Sequence, residues 1–374
     1  EDGNYSQPEG MDYVPRDMSE LYNLSAYPQT TSLEISAGQL ERLDLRGLKD
    51  LRRLQIKGAK DGLIVDATDC AKLREIQVTG TPNLTIRQHP EARFKLIVSK
   101  SYFSSLSSLG VEQATSLYLE DVRLRDIDLL GKVSPSITSL SITVEAGDVY
   151  GADGLRYRPL PFDNTFITQL SNQLPQLQRL QVTFAERQDF DRASFDKLKL
   201  PALQELSIGI RPKKGAVARS SWGRNVHFSL SGCPALKKVE LLHLYAPEID
   251  LSPLNSSTTP QLQQVLFSGA TETLTAPSLS HTFAFDVEVE EVEQINVPPS
   301  AKKKGNLTLR NYNSLVHTSL DHEYLRSHFA SVYGLAVSLP PSKYVPHADE
   351  QAIWFAFNIL DFSGEQWRGF KGLV

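Results

Sequence analysis

The chain has 374 residues, which is enough for two or three globular domains or for one long repeat array with irregular ends. Its 39 basic and 44 acidic residues give a net charge of −5, so composition predicts no nucleic-acid partner and no anionic membrane surface as a partner. No apolar run reaches the ~18 residues that a membrane-spanning helix needs, so we predict no transmembrane segment.

Residues 1–30 predict an N-terminal tether. They are polar and acidic and include Pro8, Pro15 and Pro28, which disfavour regular structure. The chain begins with Glu1 instead of methionine, and no signal peptide is visible. We therefore expect a tether that is exposed after processing or trimming.

Beyond the tether, one fragment recurs: a leucine, two variable residues, an aliphatic residue, one variable residue and another aliphatic residue. It is found at Leu51–Ile56, Leu73–Val78, Leu177–Val182, Leu203–Ile208, Leu236–Leu241 and Leu262–Phe267. Its central apolar position recurs mostly every 18 to 26 residues, after an irregular start at Leu43. The positions are Leu54, Ile76, Leu96 or Ile97, Leu117, Leu140, Leu180, Leu206, Val239, Val265, Phe283 and Leu307. Units this short bury their apolar face only by stacking, so the period predicts a solenoid.

Three of the repeats share a lead-in that ends on their first leucine, namely Leu-Pro-Gln-Leu177, Leu-Pro-Ala-Leu203 and Cys-Pro-Ala-Leu236. At these residues the chain resembles the leucine-rich repeat family, in particular the short, degenerate repeats of bacterial secreted and surface proteins common in the Bacteroidetes. The resemblance covers roughly residues 31–310. The asparagine that usually follows the strand in this family is mostly missing, and a glycine follows three of the strands instead, at Gly58, Gly80 and Gly269.

The resemblance implies a mainly β leucine-rich repeat solenoid with a curved parallel sheet and with short strands or 3-10 segments on its convex side. We assign the solenoid to 31–310, with insertions at 145–173 and 211–227, and a C-terminal cap to 311–374. The resemblance also implies export to the cell surface or the medium, which is compatible with a lipid anchor upstream of residue 1.

Several shorter segments carry their own predictions. Gly62–Val65 and Asn83–Ile86 are predicted to be second strands on the side opposite the main sheet. Asp321–Tyr333 is predicted to be a short helix whose buried face carries Leu325, Phe329 and Val332. Ile353–Phe357 is rich in aromatic residues and is interpreted as a buried strand, although periodicity alone also fits a helix.

The two cysteines, Cys70 and Cys233, each lie three residues before the first leucine of a repeat, a position that faces the core. Six repeat steps separate them, or about 29 Å at ~4.8 Å per strand, which exceeds the reach of a disulfide. We predict two buried, reduced thiols.

Two clusters of side chains contain potential metal ligands. His317, His322, Glu323 and His328 resemble a zinc motif, but His322 and His328 are six residues apart and point about 120° apart on a helix, which favours a surface helix. The acidic strand 286–293 is a calcium candidate, but one strand supplies three carboxylates at most on one face. We interpret it as a solvated edge strand.

The sequence predicts no catalytic residues, no cofactor and no metal, because phosphate loops, dinucleotide-binding glycines and nucleophile elbows are all absent. Binding surfaces are the better candidates. On the sheet, the residues between the buried aliphatics face outward, and arginine and tyrosine are favoured at interface hot spots. The predicted sheet site comprises Arg53, Gln55, Tyr118, Arg179 and Gln181.

The second candidate is the basic loop of the 211–227 insertion, which combines cations with one tryptophan. A protruding Trp222 flanked by arginines suits an acidic protein patch or an anionic glycan, whereas the alternative is a solvated hairpin whose tryptophan packs on the convex side. The predicted loop site comprises Arg211, Lys213, Arg219, Trp222 and Arg224.

We therefore predict a non-catalytic, monomeric, exported repeat protein that binds a protein or glycan ligand. The alternatives are a structural or adhesive envelope component that self-associates and, less favoured, an enzyme whose site has no sequence signature.

Overall fold

The computed structural model describes residues 12–13, 24–215, 217–310 and 320–334. The chain divides into two compact units, Glu1–Glu186 (unit 1) and Arg187–Val374 (unit 2). Both units consist mainly of parallel β-strands, with few helices among the described residues. The predicted β-rich class with a large parallel sheet is confirmed.

Unit 1 contains most of the recurring strands. Its strands are β1 (Asp12–Tyr13), β2 (Ser32–Ser36), β3 (Arg42–Asp44), β4 (Arg53–Lys57), β5 (Ile64–Ala67), β6 (Glu75–Thr79), β7 (Thr85–Gln88), β8 (Phe94–Phe103), β9 (Ala114–Leu124), β10 (Ser139–Val144), β11 (Val149–Tyr150), β12 (Arg156–Pro159) and β13 (Arg179–Phe184). One helix, α1 (Asn164–Gln173), precedes β13.

The main sheet of unit 1 is parallel and runs in the order β1, β2, β4, β6, β8, β9, β10, β13. Its register stacks one aliphatic residue from each of seven strands in a single row. The row is Leu33, Leu54, Ile76, Leu96, Leu117, Leu140 and Leu180, and each of these side chains is at most 1% exposed. This row is the core that the repeat predicts.

Two assignments at the start of the array change. Leu43 does not belong to this row, because β3 pairs with β5 in a separate three-stranded sheet with β7. Leu33 of β2 stands beside Leu54 instead.

The structure also decides between Leu96 and Ile97. Leu96 of β8 belongs to the stacked row, so Ile97 lies on the other face of the sheet and is half-buried. The second strands predicted near Gly62–Val65 and Asn83–Ile86 are confirmed as β5 and β7.

Left-handed backbone occurs where β4 and β6 end and at the corresponding positions inside the longer strands β8 and β9. Gly58 and Gly80 each have a φ of 59°. The residues at the equivalent positions of β8 and β9 are Lys100 (φ 50°) and Asp121 (φ 54°). Only glycine adopts this region without steric strain. The glycines noted in the sequence thus lie at the corners where the chain leaves the main sheet.

The 145–173 insertion folds into regular structure. β11 and β12 form a hairpin, and Arg158 and Pro159 of β12 pair antiparallel with β9. Asp163 caps α1 by accepting a hydrogen bond from the Phe166 N–H. The hairpin is fixed to the repeats by Tyr157, which is fully buried.

Unit 2 repeats the pattern with longer strands. Its strands are β14 (Glu205–Ile210), β15 (Val226–His227), β16 (Lys238–Asp250), β17 (Gln264–Thr275), β18 (Phe283–Asn296), β19 (Gly305–Arg310) and β20 (Ser331–Tyr333). Its helices are α2 (Arg187–Arg192) and α3 (His322–His328).

The main sheet of unit 2 is parallel in the order β14, β16, β17, β18, β19, β20. The stacked row is Leu206, Val239, Val265, Phe285, Leu307 and Val332. Phe285 therefore replaces Phe283 as the central residue of its repeat; both point to the core, because they are two residues apart on one strand.

β18 is not the edge strand that its acidic sequence suggested. It pairs with β17 on one side and with β19 on the other, and its alternating residues are buried. The pairing register between β17 and β18 shifts beside Gly269. The second half of each strand, from about residue 270 in β17 and from about residue 291 in β18, is therefore paired in a different register from the first half.

The ends differ from prediction in part. Asp12–Tyr13 of the predicted tether pairs with β2, so this dipeptide belongs to the sheet. The helix predicted over Asp321–Tyr333 ends at His328, after which Ser331–Tyr333 forms β20, and Val332 joins the stacked row as a strand residue. The strand predicted at 353–357 lies outside the described residues.

Candidate binding surface

The outward face of the main sheet in unit 1 carries an ordered row of side chains. Because the strands pair in register, one residue from each of seven strands lies directly beside the next. We call these residues the middle row: Glu34, Gln55, Gln77, Ile97, Tyr118, Ser141 and Gln181. Six of them are half-buried and Gln181 is exposed.

The structure brings the five predicted sheet residues onto this one face. Gln55, Tyr118 and Gln181 belong to the middle row, and Arg53 and Arg179 lie two residues before it on β4 and β13. At ~4.8 Å per strand, Gln55 is three strands or about 14 Å from Tyr118, and Gln181 is two strands or about 10 Å from it. The face is therefore long enough for an extended ligand.

Tyr118 is held in place near the centre of the face. Its hydroxyl lies 3.2 Å from the Ser139 Oγ, and the Lys95 ammonium nitrogen lies 4.7 Å from the centroid of its ring. The cation and the hydrogen bond restrict the ring to one orientation. An aromatic ring that is fixed before binding loses little conformational entropy when a ligand packs on it.

The charges on this face cancel locally. Arg53 Nε lies 3.6 Å from Glu75 Oε1, and Lys57 pairs with Glu34. These pairs are exposed or half-exposed, so they contribute little to stability. Their consequence is electrostatic: the face presents no large field of either sign to a ligand.

Several polar groups of the middle row are available to bind a ligand. Within the part of the chain that the structure describes, hydrogen bonds satisfy many surface side chains, but none involves the side chains of Gln55, Gln77, Ser141 or Gln181. These amide and hydroxyl groups supply both donors and acceptors. In the free protein they contact solvent, so a ligand can bind them without breaking internal contacts.

On the corresponding face of unit 2 the amide side chains are paired, whereas the amides of the unit 1 middle row are not. Gln264 donates to Asp286 at 2.8 Å, Lys238 lies 2.5 Å from Glu240, and Ser331 donates to Asn306 at 2.7 Å. Arg310 also approaches Glu288 at 3.5 Å. Here a ligand would have to replace existing contacts, so unit 1 carries the better candidate surface.

The basic loop of unit 2 is engaged within the protein. Arg219 contacts Glu272 at 3.1 Å and Glu293 at 2.5 Å, and it also pairs with Glu291. The loop cation and the acidic strand, which the sequence presented as separate features, are therefore each other's partner. This pairing also accounts for two carboxylates of the calcium candidate, Glu291 and Glu293.

The expectation that Trp222 protrudes is wrong. Its side chain is half-buried, its indole nitrogen Nε1 is enclosed without a hydrogen-bond partner, and the Arg219 guanidinium carbon lies 5.5 Å from its ring centroid. The ring packs against the loop instead of extending from it. The physical reason is that the acidic strands hold Arg219, and Arg219 covers the indole.

Further contacts fix the end of the loop. Arg187 donates to the carbonyls of Tyr245 and Arg224, both at 2.8 Å, and the Gly223 N–H donates to the Tyr245 carbonyl at 2.9 Å. A side chain at Gly223 would meet Arg187, since an added Cβ would lie 2.2 Å from its guanidinium carbon. Of the other predicted loop residues, the side chains of Arg211, Lys213 and Arg224 are exposed.

A cavity of about 470 Å³ lies in unit 2 beside this loop, between β17, β18 and α3. Glu272, Glu293, Asp321 and Tyr324 contribute polar groups to its wall. Two of these carboxylates, Glu272 and Glu293, already contact the single guanidinium of Arg219.

No group of His, Cys, Asp and Glu among the described residues is arranged to hold a metal ion. In α3, His328 stacks on Tyr324 with ring centroids 3.9 Å apart, and its Nδ1 lies 2.7 Å from the Tyr324 carbonyl oxygen. His317 lies outside the described residues. His328 thus has local structural contacts.

Sequence reasoning missed part of the sheet surface. Lys95 and Ile97 belong to β8, a strand that lacks the recurring fragment, so their register was ambiguous. Gln77 and Ser141 face outward as their strand positions predict, but nothing in the sequence shows that they lack partners while Gln264 has one. Counting the register from Leu54 across to Leu117 places Lys95 and Ile97 on the outward face.

A scan of the sequence against protein-family models gives no match, and a search of the curated proteins gives none either. Among the described residues, the helices are too short or too polar to cross a bilayer. The class of protein is therefore inferred from the repeat and from the surface just described.

Proposed function

We propose that this chain is a leucine-rich repeat protein of the short bacterial type and that it is a non-catalytic binding module. The recurring fragment and the one-residue-per-strand stacking of its apolar positions support the family. The surface that binds is the outward face of the main sheet in unit 1, centred on Tyr118. The ligand is a protein or glycan encountered outside the cell, where the resemblance places the protein.

The observation that carries this proposal is the set of unpaired amide and hydroxyl groups in the middle row, next to an aromatic ring held in a fixed orientation. The amides on the outward face of unit 2, Gln264 and Asn306, are paired internally. A surface that keeps polar groups hydrated and aligned can exchange water for ligand at small cost.

A substitution that adds bulk and charge at the centre of the face tests the location for a ligand of any chemistry. Ser141→Arg should abolish binding to a ligand identified on protein and glycan arrays. Thr308→Arg is the matched control, since Thr308 occupies the equivalent outward position in unit 2. Loss of binding with Thr308→Arg or with Trp222→Ala, but not with Ser141→Arg, would place the site elsewhere.

The second candidate function is a structural or adhesive envelope component that self-associates through its sheet. It requires an oligomer whose size depends on concentration. Static light scattering of the purified chain over a hundredfold range of concentration distinguishes the two, and we expect a monomer throughout.

A further inference from the structure

We infer that the ligand of the unit 1 face is an uncharged polysaccharide, bound along the middle row with one sugar ring on Tyr118. This inference rests on the proposed function and specifies the chemistry of its ligand. It follows from three properties of the face: its charge, its hydrogen-bonding groups and its aromatic ring.

The charge of the face excludes a strongly ionic ligand. Arg53 is opposed by Glu75 and Lys57 by Glu34, so the cations near the β1 side are neutralised by neighbouring strands. At the centre, Lys95 is directed at the Tyr118 ring. An uncharged partner therefore fits this face best. A charged ligand would lose its hydration here without meeting enough opposite charge on the protein to compensate.

The hydrogen-bonding groups match a polyol. A sugar hydroxyl donates one hydrogen bond and accepts others, so it needs neighbours that do both. Serine hydroxyls and glutamine amides do both, whereas carboxylates of ionised residues only accept and ammonium groups only donate. The central strands supply such groups around Tyr118, namely Gln77, Ser116, Ser141 and Thr143, whereas Ser99 already donates to Thr79 at 3.1 Å.

The same composition disfavours a protein partner. The cores of protein–protein interfaces are rich in aromatic residues, methionine and arginine and depleted in serine. The centre of this face has one aromatic ring and one aliphatic residue, Tyr118 and Ile97, among many hydroxyls. Such a surface has too little apolar area for the desolvated anchor that a protein hot spot requires.

Tyr118 provides the apolar contact that a sugar ring needs. The faces of a pyranose carry C–H groups, which pack on the electron-rich face of an aromatic ring. The Lys95 ammonium lies near this ring and belongs to a long, flexible side chain that a sugar can displace. A linear polysaccharide placed along the row would meet a new strand about every 4.8 Å.

The experiment uses the full chain and soluble polysaccharides as probes: neutral β-glucan, mannan, galactan and dextran, and anionic polygalacturonate and heparin. Binding is measured by affinity electrophoresis and by titration calorimetry. We expect at least one neutral polysaccharide to bind, with an affinity that changes less than about twofold between low and high salt, because no charge is screened. Binding to the anionic polymers alone, or to none of the six, would overturn the inference.

Variants then assign the site. Tyr118→Ala should weaken binding at least about tenfold, which corresponds to about 1.4 kcal/mol, while Tyr118→Phe keeps the ring and should stay within about threefold of the unmodified chain. The matched control is Tyr150→Ala, which removes a tyrosine that is 68% exposed on the β11–β12 hairpin, and it should have no effect.

The outcomes distinguish an error in the location of the site from an error in the class of ligand. If a protein ligand is found and Ser141→Arg abolishes its binding, the location is correct and the polysaccharide inference is wrong. If a neutral polysaccharide binds, and if neither Tyr118→Ala nor Ser141→Arg lowers its affinity, the location is wrong. The proposed function then fails together with this inference. An affinity that falls steeply with salt would indicate an anionic ligand and would also overturn the inference.

Discussion

The corners that follow the main strands show how single residues set the path of the chain. Gly58, Gly80, Lys100 and Asp121 occupy equivalent left-handed positions, and two of them carry side chains that this conformation disfavours. Around them, buried hydroxyls replace missing backbone partners: Ser101 Oγ accepts from the Thr81 N–H at 3.0 Å. The repeat therefore tolerates a strained residue where neighbouring repeats use glycine.

This strain is measurable. Gly58→Ala and Gly80→Ala should each destabilise the protein by about 1–2 kcal/mol, because a Cβ in the left-handed region approaches the following carbonyl oxygen. No atom lies within 4 Å of the added Cβ at either site, so crowding does not contribute. Urea unfolding gives the change. Lys100→Gly relieves the same strain, and a loss of stability with this variant similar to that of the two alanine variants would contradict the explanation.

The two cysteines give a second prediction at this scale. Cys70 and Cys233 are both fully buried and unbridged, and desolvation raises the pKa of Cys70 to about 12 and that of Cys233 to about 11. Since the thiolate is the reactive form, neither thiol should react with a disulfide reagent at pH 8 in the folded protein. Two thiols should appear on denaturation. Rapid reaction without denaturant would show that these core positions open readily.

At the scale of elements, the loop that precedes β15 is fixed by charge. Arg219 reaches carboxylates of β17 and β18, and these side chains are 40–46% exposed except for Glu291, which is 18% exposed. Screening by solvent keeps the contribution of such pairs to global stability small. Their effect is local, because they determine whether the loop stays on the strands.

Removing Arg219 should therefore loosen the loop without unfolding the protein. Arg219→Ala should lower the free energy of unfolding by less than about 1 kcal/mol. It should also speed tryptic cleavage after Lys213 and Lys214 several-fold, since cleavage follows local opening. Mass spectrometry of a digestion time course measures this. Arg224→Ala is the control, and equal cleavage rates for the two variants would mean that Arg219 does not hold the loop.

The β11–β12 hairpin is fixed differently, by an aromatic side chain instead of charge. Tyr157 packs on Tyr102 with centroids 4.6 Å apart, and its hydroxyl donates to Asp153 and accepts from the Asn83 amide. Desolvation and the neighbouring Asp61 raise the pKa of Tyr102, so this ring stays neutral. A segment that reads as a polar, glycine-rich insertion is thus part of the packed structure of unit 1.

At the scale of the whole molecule, each unit is built on one stacked apolar row, and the rows dominate stability. Leu117 in unit 1 and Leu206 in unit 2 are at most 1% exposed. Leu117→Ala and Leu206→Ala should each cost roughly 2–5 kcal/mol, because truncation removes buried area and leaves a cavity. Chemical denaturation measures the loss. Gln77→Ala, on the outward face beside the same row, should change stability by less than about 0.5 kcal/mol.

Similar costs for the core and outward substitutions would contradict the assignment of the two faces. The comparison also serves the functional experiments, since outward-face variants that keep full stability isolate effects on binding from effects on folding.

The sequence by itself determined the repeat, the identity of most stacked residues and the burial of both cysteines. It could do so because a strand alternates its faces every second residue and because a short repeat must stack its apolar positions, so the pattern of leucines is almost sufficient. It failed where no pattern exists: at β8, at the start of the array, and at Phe285, where Phe283 fits the alternation equally well.

Only the tertiary structure decided which polar residues are available. Gln77 and Gln264 both face outward, one residue after and one residue before the stacked residue of their strands, yet Gln264 bonds Asp286 on the adjacent strand while Gln77 lies beside Gln55 and Ile97. The pairing of Arg219 with Glu272 joins residues 53 positions apart in sequence. Local periodicity fixes the face of a residue, but its partners come from neighbouring strands, and these are known only when the chain has folded.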